Sequence, residues 1–138
     1  MTDESTLPFG RDAADWETLR SYMEPRRFSP GETVLVGGEP DRSLYLLTEG
    51  TLEAIVTSKG GSKRTTVMEA GAVFGEVAFF DGGARSATVR GVTQGELLRL
   101  SFDRFESMAA SHPELGRAVL LDLGLRIASR LRAAERGQ

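Results

Sequence analysis

The sequence predicts a mainly β domain with flanking helices: an antiparallel β-roll over residues 25–101, a helical segment at 1–24 before it and C-terminal helices at 102–136 after it. Three observations carry this. Twelve of the sixteen glycines fall between Gly31 and Gly95, so that stretch is rich in turns. Short β-prone runs lie between them, at 33–36, 43–48, 51–57, 64–69, 86–90 and 96–101, the spacing of an antiparallel barrel or sandwich. Outside the stretch, apolar residues recur every three or four positions, the period of amphipathic helices.

Each element has a local reason. In 12–23, Trp16, Leu19 and Met23 form one apolar stripe that reads as core, and Pro25 ends the helix, since proline cannot continue it. Ser58-Lys59-Gly60-Gly61-Ser62-Lys63 is polar throughout and holds two glycines able to take positive φ, which makes it a hairpin tip. Phe102, Phe105 and Met108 share one side of a short helix at 102–110, with Ser101 or Asp103 to cap it. Ser111-His112-Pro113-Glu114 reads as a new helix start, with proline near the first turn and an acidic side chain at the positive end of the dipole. That helix runs to about Arg136 and carries two apolar stripes, Leu120, Leu123, Ile127 and Leu131 on one side and Ala118, Leu121 and Leu125 on another. One stripe can cover the roll; the second needs a partner to bury it. Five arginines from Arg117 onward against Asp122 and Glu135 make the helix end basic, which suits its own dipole or a partner surface.

Composition narrows the function. A chain of 138 residues supports one core and buries about two-thirds of its unfolded surface. Apolar residues at 40% and charged residues at 27% are ordinary for a globular protein. No apolar run exceeds four residues, against the ~20 of a membrane span. Met1-Thr2-Asp3-Glu4 lacks the basic-then-apolar opening of a signal peptide. The expected location is therefore the cytoplasm, without membrane insertion. The absence of cysteine excludes disulfides, thiolate zinc sites and cysteine nucleophiles. Seventeen basic against twenty acidic residues, net −3, is the wrong sign for gripping a nucleic-acid backbone. His112 is the only histidine, so schemes needing two imidazoles fail. It reads as a solvated helix-entry residue. No catalytic residue and no metal ligand set is expected, and hence no enzyme.

The informative stretch is Phe74-Gly75-Glu76-Val77-Ala78-Phe79-Phe80-Asp81-Gly82-Gly83-Ala84-Arg85-Ser86-Ala87-Thr88. A glycine precedes a short helix-competent run whose first amides lack intrahelical partners and can face an anion. Past the Gly82-Gly83 turn comes Arg85, whose planar fork suits phosphate oxygens better than an ammonium does. Glu76 cannot welcome a phosphate; beside that arginine its carboxylate makes sense accepting hydrogen bonds from sugar hydroxyls. The set asks for a sugar phosphate. Phe74, Phe79 and Phe80 read as core rather than base-stacking residues.

These residues resemble the phosphate-binding cassette of the cyclic nucleotide-binding domain family, shared by catabolite activator proteins, cyclic-nucleotide-dependent protein kinases and cyclic-nucleotide-gated channels. The likeness extends to Phe28-Ser29-Pro30-Gly31-Glu32-Thr33-Val34-Leu35, similar to the family's entry strand. It extends also to Gly38-Glu39-Pro40-Asp41-Arg42-Ser43-Leu44-Tyr45-Leu46-Leu47-Thr48-Glu49-Gly50-Thr51-Leu52, similar to its next strand pair. Together these cover most of residues 16–132. The resemblance implies a jelly-roll-like roll of about eight strands with an N-terminal helix, a short cassette helix and a long C-terminal helix, all in one domain, 1–138. It also implies a ligand set. Gly75 and the amides of Val77 and Ala78 would face the cyclic phosphate, Glu76 the ribose 2′-hydroxyl and Arg85 the phosphate oxygens, with Ser86 and Ala87 completing the ring. Arg126 on the final helix would reach the base. Ala84 stands where the family commonly has proline, which loosens a turn without removing a ligand contact. Ser86 in place of threonine favours cAMP over cGMP.

The resulting expectation is a non-catalytic sensor of a cyclic mononucleotide, cAMP first and cGMP second, with no cofactor, signalling through its C-terminal helix to a second copy or an effector protein. The competing reading is a structural or dimerisation module of the same fold with an unused pocket. A jelly-roll enzyme would need a metal-ligand cluster that the chain lacks. A complete transcription activator would need a helix-turn-helix after the long helix, and the sequence ends at Gln138. A sensor fragment of a channel, transporter or transcription regulator is the remaining alternative.

Overall fold

In the computed structural model, which describes residues 12–136, the elements follow in the order α1 (Ala13–Ser21), β1 (Glu24–Phe28), β2 (Thr33–Leu35), β3 (Ser43–Glu49), β4 (Leu52–Thr57), β5 (Lys63–Met68), β6 (Val73–Phe74), α2 (Glu76–Asp81), β7 (Thr88–Gly91), β8 (Gly95–Ser101), α3 (Phe102–Ser111) and α4 (Pro113–Arg136). The strands make two four-stranded antiparallel sheets, ordered β1-β8-β3-β6 and β2-β7-β4-β5. This is the β-roll with a leading helix, a short inserted helix and a long C-terminal helix that the sequence predicts. The chain divides into a β unit, Glu24–Phe102, and a helical unit formed by the segments on either side of it. Met1–Glu4, read above as no signal peptide, lies outside the described residues. Among the described residues no helix is long and apolar enough to cross a membrane.

The core of the β unit draws Phe28, Val34, Leu35, Tyr45, Leu47, Leu52, Phe74, Val89 and Leu97 from both sheets. Leu44-Tyr45-Leu46-Leu47 is buried without alternation, which is why this strand reads as a continuous apolar run. The hairpin tip forms where its glycines and serines predict: Ser58 N–H donates to Ser62 O at 2.7 Å, and Gly61 takes φ 85°.

Two strands had weak sequence signals. β1 reads Glu-Pro-Arg-Arg-Phe and pairs only with β8 at the sheet edge, where proline costs no ladder hydrogen bond. Pro25 thus lies in a strand, and α1 stops earlier, at Ser21 with Tyr22 as its cap. β6 is two residues long and owes its place to pairing with β3.

In the helical unit, Asp12 caps α1 by accepting from Asp15 N–H at 2.8 Å. Leu19 and Met23 are buried, but Trp16 is only half-buried, short of the core position expected for it. α3 and α4 approach closely at Gly116, where a Cβ would sit 2.7 Å from Ala109 Cβ. The buried row of α4 is Leu115, Val119 and Leu123. Of the first apolar stripe Leu123 is buried while Leu120 and Leu131 are exposed, as are Leu121 and Leu125 of the second. The close approach at Gly116 sets which row turns inward, and periodicity alone does not choose between adjacent rows.

Candidate functional site

Between β6 and β7 the chain makes one short helix and returns. Phe74 anchors the entry, its ring stacked on Tyr45 with centroids 5.2 Å apart. Gly75 then takes φ 87° and leads into α2. Only glycine fits there: a Cβ would lie 2.5 Å from Arg85 Nη1 and 2.9 Å from Ser43 O, in a left-handed conformation side chains rarely adopt. The first helical hydrogen bond runs from Phe79 N–H to Gly75 O at 3.1 Å, so the amides of Glu76, Val77 and Ala78 precede the helical ladder. Gly82, φ 70°, ends the helix by donating to Ala78 O at 2.8 Å.

Arg85 joins these pieces. Its Nη1 donates to Gly75 O at 3.1 Å, and its Nη2 donates to Ser43 O at 2.6 Å and pairs with Asp41 Oδ2 at 3.1 Å. The side chain is 4% exposed, with the guanidinium carbon 5.3 Å from the Tyr45 ring centroid. The remaining donor, Nε, is buried with no hydrogen-bond partner among the described residues. The backbone is held as well: Arg85 N–H donates to Glu39 O at 3.0 Å and Gly38 N–H to Arg85 O at 2.9 Å. Ala84, without the proline of the family pattern, still bridges to Pro40.

Asp41 is the site residue that sequence reasoning missed. Its Oδ2 accepts from the Tyr45 hydroxyl at 2.6 Å as well as from Arg85, and Oδ1 lies 3.7 Å from Arg99 Nη2. Burial pushes its pKa up, but the Tyr45 hydroxyl, neighbouring Ser43 and the Arg85 charge outweigh it and hold the carboxyl below its ordinary value. Burial, reinforced by the Asp41 carboxylate, pushes the Tyr45 phenol up. Asp41 stands within the strand-pair motif quoted above, but no local spacing joins it to Arg85. Only the fold does.

Gly75, Glu76, Val77, Ala78, Arg85, Ser86 and Ala87 thus fall on the one segment that joins β6 to β7 through α2. Glu76 and Ala78 are buried at 3% and 5%, the Val77 side chain is exposed, and Ser86 and Ala87 lead into β7. Phe74 and Phe79 are core, but Phe80 is 38% exposed; in a six-residue helix only one face is covered, and Phe80 lies off it. Arg126 belongs to α4, where its Nε donates to Asp122 Oδ2 at 2.6 Å. His112 is exposed and meets Tyr22 edge-on, centroids 6.4 Å apart. Among the described residues no group of three or more side chains is arranged to hold a metal ion.

Two antiparallel sheets with a helix inserted behind a left-handed glycine, over a buried arginine, define the architecture as a β-roll with a cassette-like insertion. The chain belongs to the cyclic nucleotide-binding domain family, whose model matches residues 25–112. It is similar to the cyclic AMP receptor protein of Thermus thermophilus, 31% identical over 132 residues, covering 95% of this chain and 59% of that protein. It is similar also to the CRP-like cAMP-activated global transcriptional regulator of Mycobacterium tuberculosis, 28% identical over 110 residues, 79% of this chain and 49% of that protein. Among solved structures, the catabolite activator protein of Thermus thermophilus superposes with a TM-score of 0.85 at 29% identity, covering 96% of this chain and 61% of that one. The chain spans 49–61% of the length of these relatives.

Proposed function

We propose that this chain is a non-catalytic cytoplasmic sensor that binds a cyclic purine mononucleotide, cAMP in preference to cGMP, and that residues 1–138 act as one sensing domain. Arg85 carries the reading. It is a buried guanidinium beside a glycine that no other residue can replace, with its Nε–H unpartnered among the described residues. A buried donor left unmade costs about 1–3 kcal/mol, and a phosphate oxygen satisfies it with a charge-assisted bond. In this reading Gly75 and the Val77 and Ala78 amides take the cyclic phosphate, Glu76 the ribose 2′-hydroxyl, Ser86 and Ala87 close the ring, and Arg126 reads the base. The relatives named for cAMP support the choice of ligand, as does Ser86. The family's regulators support an output that is mechanical: occupancy favours one arrangement of the C-terminal helix, whose exposed Leu120, Leu121, Leu125 and Leu131 offer a surface to a second copy or an effector. An ordinary coupling of ~1–3 kcal/mol suffices.

Calorimetric titration with cAMP and cGMP tests this, after mass spectrometry of denatured protein has excluded a co-purified nucleotide. The expected result is micromolar or tighter binding of cAMP, about −8 kcal/mol or better, with cGMP weaker. No heat and no shift in melting temperature would leave a structural or dimerisation module of the same fold.

A further inference from the structure

Arg42, just before β3, is exposed and makes none of the proposed nucleotide contacts, yet two of its three guanidinium nitrogens are engaged. Nε donates to Phe79 O at 2.8 Å and Nη2 to Phe80 O at 2.7 Å. The guanidinium carbon stands 3.5 Å from the centroid of the Phe102 ring, and the backbone carbonyl accepts from Phe102 N–H at 3.0 Å. Phe79, fully buried, also meets Phe102 edge-on with centroids 5.4 Å apart. The two carbonyls belong to the last turn of α2, where no helical donor remains and where a cation complements the dipole. Phe102 is the last residue of the β unit and the first of α3.

We propose that Arg42 is a positioning residue that ties the cassette helix to the start of α3, so that nucleotide capture at one end of α2 is felt at Phe102. The inference rests on the nucleotide reading above. α2 is six residues long and moves as one short rod. When its leading amides are drawn to a phosphate, the Phe79 and Phe80 carbonyls at the other end move too, carrying the guanidinium and the ring beneath it. The role needs arginine: a planar fork can donate to two carbonyls while lying flat on an aromatic face, and a lysine ammonium cannot. Because Arg42 is exposed, its removal opens no cavity in the core.

Hydrogen–deuterium exchange of the full chain, with and without saturating cAMP, tests this in the wild type, Arg42→Ala and Arg42→Lys. In the wild type, cAMP is expected to slow exchange in peptides covering 74–88 and to change it in peptides covering 103–136. In both variants the first effect persists at saturation, while the second falls at least about fivefold, the low end of ordinary coupling. A wild-type response at 103–136 in either variant overturns the role of Arg42, and so does wild-type protection confined to 74–88. If neither cAMP nor cGMP protects 74–88 in the wild type, the nucleotide reading itself fails and the coupling falls with it.

Discussion

The cassette and the last helix are built in opposite ways. In the cassette each position is fixed by covalent neighbours and a few hydrogen bonds: Gly75 by its positive φ and the atoms crowding its Cα, Arg85 by two carbonyls and a carboxylate, Gly82 by the turn it makes. In α4 only one row, Leu115, Val119 and Leu123, is buried, while Leu121 and Leu125 stand 56% and 70% exposed. The first region has its structure written into local chemistry, and the second has a surface whose purpose is set by what meets it. Mutations should therefore change ligand binding, stability or both in the cassette, and neither in the exposed row of α4.

The largest combined effect on fold and ligand is expected at Gly75. Gly75→Ala places a Cβ in left-handed backbone, costing about 1–2 kcal/mol, and also against Arg85 Nη1 and Ser43 O. A thermal melt should show a loss on the order of 5–10 °C, and a titration should show cAMP affinity lower by about a hundredfold or more. Wild-type values for both would mean that the turn is not under the constraint described.

Why the cassette was legible follows from the same contrast. Glycine spacing and an arginine just past a glycine turn are local signals, so the sequence alone points to Gly75, Glu76 and Arg85. The strands with alternating or continuous apolar runs were equally legible. β1, polar and holding Pro25, is defined only by its pairing with β8. Asp41 and Arg42 looked like ordinary loop charges, because the groups they bind, Arg85, Tyr45, Phe79, Phe80 and Phe102, come together only through the fold. Which row α4 buries is likewise left open by periodicity alone.

Asp41→Asn should act less strongly than Gly75→Ala. It weakens the pairing of a buried guanidinium, worth about 1–3 kcal/mol, and the melting temperature should fall accordingly. Saturating cAMP should then raise it by more than in the wild type, since phosphate supplies the missing charge; an equal increment in both proteins would count against the pairing. The pH dependence has a definite sign. The folded pKa of Asp41 lies below its ordinary value, so its contribution is present above the unfolded pKa, about 3.9, and is lost as pH falls through the folded value. Acid titration of stability should accordingly show a shallower fall in Asp41→Asn than in the wild type. The smallest effect is expected from Leu121→Gln with Leu125→Gln: within about 0.5 kcal/mol in stability and no change in cAMP affinity by calorimetry. A drop of several degrees in melting temperature would show that this row is covered within the folded chain.

The most direct test of the central claim is a side-by-side calorimetric titration of the wild type and Arg85→Ala with cAMP, with circular dichroism to verify the fold of each. Removing the counter-charge of the phosphate should cost several kcal/mol, about a thousandfold or more in affinity, while the β-roll spectrum is retained. Equal affinity in a folded Arg85→Ala protein would contradict the assignment of the cassette.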